Sequence, residues 1–156
     1  MAKAIPNTLA AIGAVALWSS VAPAFAEDRD DAQFGAVHFQ TSCNDVAQRR
    51  FDRAMRYQHS FWYRESKQIF EEVLAADPSC AIAHWGIALS LLFNPHIATP
   101  TPNLAPGLAA LEKAKSLGAK TPRERDYIDA LFVLYADYDK LAYAHRVQKY
   151  LKAMEA

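Results

Sequence analysis

Fourteen consecutive residues, Cys80 to Phe93, set the problem that this chain has to solve. Only His84 and Ser90 among them are clearly polar. A run of this length falls short of the roughly 20 apolar residues that a membrane span needs. It reads instead as a core helix with no solvent face, which must be covered on most sides by other elements.

The covering elements also read as helices. No stretch alternates apolar and polar residues for long enough to make a strand, and the turn signals are spaced for helices. A first helix is expected over roughly 43–59, with Ala47, Phe51, Ala54, Met55 and Gln58 on one face and Ser42 with Asp45 as its capping pair. A second is expected over roughly 64–76, with Ser66, Ile69, Phe70, Val73 and Leu74 inward and Asp77-Pro78 as its stop. The apolar run supplies the third. Three prolines between Asn94 and Asn103 mark a loop, followed by a helix over roughly 105–117 with Leu108, Leu111 and Ala114 inward and Gly118 at its end. Thr121-Pro122-Arg123-Glu124 is the strongest local start signal: Thr caps, Pro takes the first helical position and Glu closes the box. That fifth helix should reach about Tyr138, with Tyr127, Leu131, Leu134, Tyr135 and Tyr138 in one stripe. A sixth, roughly 140–155, should turn Ala144, Val147, Leu151 and Met154 inward.

The N-terminus reads as an address. Lys3 is the only charge before Glu27, and the small apolar run Leu9–Trp18 leads to Ala24-Phe25-Ala26, an A-x-A cleavage signal. Residues 1–26 are therefore expected to be a bacterial secretory signal peptide cleaved after Ala26, which implies the periplasm or secretion and no stable membrane anchor afterwards. Residues 27–40 are expected to be a tail, and the acids at its start lack the spaced ligands and glycine turn of a calcium loop. The whole chain has net charge 0, and the part after Ala26 carries −1. Neither value suits a nucleic-acid partner, which needs a basic field.

Sliding the chain along itself by 37 residues brings Ser42-Cys43 onto Ser79-Cys80 and His59 onto His96. Periods of this size, with two helices each, mark helical solenoids. The stretch Trp62 to Pro78 resembles the second half of a tetratricopeptide repeat, with Ser66, Phe70, Val73 and Pro78 at the family's small, aromatic, apolar and proline positions. Ala81 to Phe93 resembles the family's first helix, although His84 takes the usual Trp place and Trp85 follows it. Phe39–Cys43, His59–Tyr63, Asp77–Cys80, Ala83–Gly86 and Arg123–Tyr127 are more narrowly similar to the start of larger exported bacterial tetratricopeptide proteins. The resemblance covers about 36–156 and implies an all-α solenoid of antiparallel helix pairs over 41–156. Because those relatives are several times longer, it also implies an N-terminal fragment, with the stripe of the sixth helix left uncovered.

Cys43 and Cys80 would then head successive parallel helices. In an oxidising compartment they are expected to pair, with two buried free thiols as the alternative. His59 and His96 fall at equivalent repeat positions and could share a metal, but two histidines without a fixed carboxylate or thiolate make a poor site. The preferred reading is a histidine at a helix end. His84 reads as a satisfied core histidine. Arg49, Arg50, Arg53 and Arg56 form a basic face that could hold a peptide carboxylate. Against that, Asp45–Arg49 and Asp52–Arg56 have the spacing of neutralising pairs. Phe61-Trp62-Tyr63 would pack the turn, with an exposed partner site around Trp62 as the lesser alternative. No catalytic constellation and no cofactor motif emerges. The resemblance implies a non-enzymatic scaffold that binds a protein or peptide.

Overall fold

The computed structural model describes Met1, residues 34–94 and residues 96–155, so the signal-peptide reading of 1–26 lies outside the described range. Among the described residues the protein is all-helical: α1 (Asp45–His59), α2 (Tyr63–Ala76), α3 (Ala81–Leu91), α4 (Thr101–Leu117), α5 (Pro122–Tyr135) and α6 (Tyr143–Met154). Each helix packs on the next in the chain, and α3 also touches α1 and α5. The apolar helix is thereby wrapped by α1, α2, α4 and α5, as its lack of a polar face requires. Among the described residues, no helix is long and apolar enough to cross a membrane.

The inner faces of α1 and α2 are those expected. Ala47, Phe51, Ala54, Met55, Ile69, Phe70 and Val73 are all buried. The small residues have a packing role. The ring of Phe70 lies where a Cβ on Gly86 would sit, so only glycine lets α2 and α3 come this close. Beside it, the buried hydroxyls of Ser66 and Ser90 lie 3.1 Å apart and share the Gln58 side-chain oxygen, at 3.1 and 3.0 Å. The few polar atoms of this core are therefore satisfied among themselves.

Four features differ from expectation. The cap of α1 is Asn44, whose side chain accepts from the Ala47 N–H, and not the Ser42–Asp45 pair. Asn44 also donates to the Ala76 carbonyl, while its own N–H reaches the Asp77 carboxylate at 2.9 Å, so one residue joins the start of α1 to the end of α2. Helix α4 begins at Thr101: Pro102 lies in its first turn, where an N–H has no helical partner to lose, and the helix continues through Pro106 in its interior. Helix α5 stops at Tyr135, and Asp137 at φ 53 turns the chain, which delays α6 to Tyr143.

The fourth difference is the rotation of α6. Arg146 is its buried residue, at 4% exposure, while Val147, Leu151 and Met154 are exposed. Two demands turn the helix this way. The carbonyls at the end of α5 need a donor, and Arg146 Nη1 donates to the Leu134 carbonyl while its guanidinium lies over the Tyr143 ring. Tyr143 and Tyr150 then fill the interior side with larger surfaces than the aliphatic stripe offers.

Cys43 and Cys80 are joined by a disulfide, with Cα atoms 5.1 Å apart and a sequence separation of 37. The bridge ties the approach to α1 to the residue that precedes α3. On the chain-entropy account, closing a loop of this length contributes about 3–4 kcal/mol. Replacing both cysteines by serine and alanine should lower the unfolding free energy by about that amount, as read from urea denaturation with and without reductant.

Candidate functional site

The starts of α1, α3 and α5 lie side by side, and four residues ahead of α1 connect them. Thr121 and Glu124 form the expected capping box on α5. Glu124 does more than close that box. Its carboxylate is 1% exposed and also accepts from the Ser42 N–H at 2.8 Å and from the Ser42 hydroxyl at 2.7 Å. Burial pushes the Glu124 pKa up, but the hydrogen bonds from Ser42 and Thr121 outweigh it and leave the value below the ordinary 4.5. Asp77 is likewise held below 3.8, chiefly by the Ser79 hydroxyl and then by the Asn44 N–H. The local signal for the capping box was plain in the sequence. The reach of Glu124 to Ser42, across 82 positions, was not.

Upstream of this joint, residues 34–42 run along α1 in the opposite direction to it. Phe34 packs on Tyr57 and Trp62, with ring centres 4.9 and 5.6 Å apart, near the end of α1. His38 and the Phe39 N–H both bond to the Asp52 carboxylate, at 2.7 and 3.0 Å. Gln48 donates to the Phe39 carbonyl at 2.9 Å and accepts from the Thr41 N–H at 2.7 Å. The Phe39 ring is buried among Phe51, Trp85 and Tyr127, one aromatic from each of α1, α3 and α5, and Arg123 lies over it at 4.2 Å. The described part of the expected tail is therefore packed on the helices.

This arrangement redistributes the arginine face. Asp52 is engaged by His38, Phe39 and Gln48, and makes no ion pair with Arg56. Arg50 donates to the Glu72 carbonyl, and Arg53 faces the Glu72 carboxylate at 3.8 Å and the Tyr57 ring. Arg49 and Arg56 line an open recess of about 290 Å³ together with Ala36, Val37 and Asp52. The face is thus divided between α2 and the N-terminal segment.

The remaining candidates stand on different elements. His59 is the exposed last residue of α1, whereas His96 lies in the loop beyond α3, because α3 ends at Leu91 and Phe93 leaves the helix at φ 58. Among the described residues, no three His, Cys, Asp or Glu side chains are grouped to hold a metal. His84 is half-buried, and its pKa is lowered by that burial and then by Lys113. Trp62 is half exposed and precedes α2, while Phe61 beside it is 72% exposed at φ 65.

A second feature shares Arg123 and Tyr127 with the Phe39 slot. Between α5 and α6 is a groove of about 680 Å³ lined by Arg123, Asp126, Tyr127, Ala130, Val133 and Met154. The outward stripe of α6, Val147, Leu151 and Met154, adjoins it through Met154.

The carboxylates define the acid limb of stability. Both are held ionised by donors in the folded state, so their contribution is complete above the ordinary values and is lost as pH falls through the lowered folded ones. Glu124→Gln should remove about 2–3 kcal/mol at pH 7 and flatten the decline below pH 4.5, measured by urea titration across pH. His38 has the opposite sign. The Asp52 hydrogen bond raises its pKa, so its contribution is full below 6.5 and fades as pH rises through the raised value. NMR titration should find His38 above 6.5 and His84 below it, and Asp52→Asn should return His38 towards 6.5.

Comparison of the chain with protein-family models, with curated proteins and with solved structures finds no match.

Proposed function

We propose that this protein is a non-enzymatic, exported scaffold built from antiparallel helix pairs, and that it docks a protein partner on its α5–α6 edge. Several features support the repeat reading. Successive helices pack in chain order, and α3 touches both odd-numbered neighbours, α1 and α5. Ser66, Phe70 and Val73, at the tetratricopeptide positions, are buried between pairs. The bridged cysteines stand at equivalent places before α1 and α3. Export rests on the A-x-A segment ending at Ala26, and the disulfide is compatible with an oxidising destination.

The observation that carries the binding role is the α6 stripe. Leu151 is 57% exposed, with Val147 and Met154 open on the same face. A contiguous apolar patch beside a groove is the signature of an interaction surface, unlike single exposed apolar residues. The most buried carboxylate, that of Glu124, is committed to four hydrogen bonds within the fold, which suits a structural role for it better than a chemical one.

The test is selection from a display library of helical peptides against the folded chain. Sequences with an apolar face should be enriched. Leu151→Asp should weaken them about tenfold or more, the loss expected for one buried leucine, without lowering Tm. Enrichment of nothing, or binding indifferent to Leu151→Asp, overturns the reading.

A further inference from the structure

The segment 37–42 lies on the face shared by α1, α3 and α5 in the manner of a bound peptide. Its main chain is gripped by side chains of one helix: Asp52 accepts from the Phe39 N–H, Gln48 donates to the Phe39 carbonyl, and Gln48 accepts from the Thr41 N–H. Such contacts read a backbone whatever side chains it carries, while pockets supply selectivity. The pocket here is the slot formed by Phe51, Trp85 and Tyr127 with Arg123 above, and its content is the Phe39 ring, 8% exposed. After the aromatic, Thr41 and Ser42 present hydroxyls to Gln48 and Glu124.

We propose that this face is a peptide-recognition site occupied in cis, and that it takes a non-helical peptide with an aromatic residue followed two and three positions later by hydroxyl residues. The slot shares Arg123 and Tyr127 with the α5–α6 groove, but its occupant is this chain's own segment and does not depend on the partner of that groove. Two observations favour a displaceable occupant over a fixed part of the core. Among the described residues the segment's hydrogen bonds to α1 begin at His38, while upstream of it only side chains such as the Phe34 ring pack on α1, and Ala36 and Val37 border a recess of about 290 Å³ with Arg49, Asp52 and Arg56. Gly35, at φ 75, is exposed with open space around it, so the chain can turn there. At its other end the segment is covalently secured one residue later by Cys43–Cys80. Release would therefore leave the bridge between α1 and α3 in place.

Two measurements test this. In hydrogen exchange on the unsubstituted disulfide-bonded chain, the Phe39 and Thr41 amides should exchange through an opening at least tenfold more populated than global unfolding. Exchange of both only through global unfolding overturns the proposal. In the second, a fluorescent peptide of residues 36–42 is titrated into the unsubstituted chain, into Phe39→Ala, and into Phe39→Ala with Gln48→Ala. Binding to Phe39→Ala should be at least tenfold tighter than to the unsubstituted chain and should be lost when Gln48 is also removed. Phe39→Leu, which keeps an apolar plug, guards against a Phe39→Ala chain that does not fold and should fall between. No preference for a folded vacated slot, or a preference indifferent to Gln48, overturns the proposal.

Discussion

Glu124 is a buried charge, and a buried charge persists only where donors surround it. Its donors come from two places far apart in the chain, Thr121 in its own first turn and Ser42 ahead of α1. That shared carboxylate aligns the start of α5 with the approach to α1. The disulfide does the same for α3, and Asn44 with Asp77 for the end of α2. Every element that meets the N-terminal edge is thus fixed through residues 42–44. The upstream segment leaves this edge in a set direction, along α1, where Gln48 and Asp52 receive it.

The two ends of the helix array are finished differently. At the α1 end, the segment from Phe34 to Thr41 covers apolar surface and satisfies side chains that would otherwise face solvent. At the α6 end the aliphatic stripe stays open, because the interior side of α6 is taken by two tyrosines and by an arginine that serves the carbonyl end of α5. The closed end and the open end give the two surfaces different capacities. One is covered by the chain's own upstream segment, and the other presents apolar area with nothing of this chain upon it among the described residues.

Much of the architecture was legible beforehand because it rests on local physics. The apolar run 80–93 demanded cover on most sides, and four helices pack on its helix. The box at Thr121–Glu124 formed as written, since both partners lie within one turn. The cysteine pair was expected from the 37-residue offset of the two Ser-Cys sites, and the disulfide joins them. The stripes of α1 and α2 were correct for the same reason, each helix having a single apolar face.

What escaped the sequence involves a choice between faces or partners of comparable local merit. Helix α6 has an aliphatic stripe and a tyrosine–arginine stripe, and only the position of the α5 carbonyls decides which turns inward. Asp52 had Arg56 at pairing distance in sequence, yet the main chain of Phe39 and the ring of His38 take it, because a non-local segment lies over that turn. Phe39 itself sat in a stretch too short and irregular for periodicity to speak about. Its burial depends on a slot built by Phe51, Trp85 and Tyr127, residues 12, 46 and 88 positions away. The sequence by itself determined the helices, the capping box of α5 and the covalent staple, the first two through interactions within a turn. Tertiary structure alone decided which faces are filled and which stay open, because that depends on surfaces that exist only once the helices are assembled.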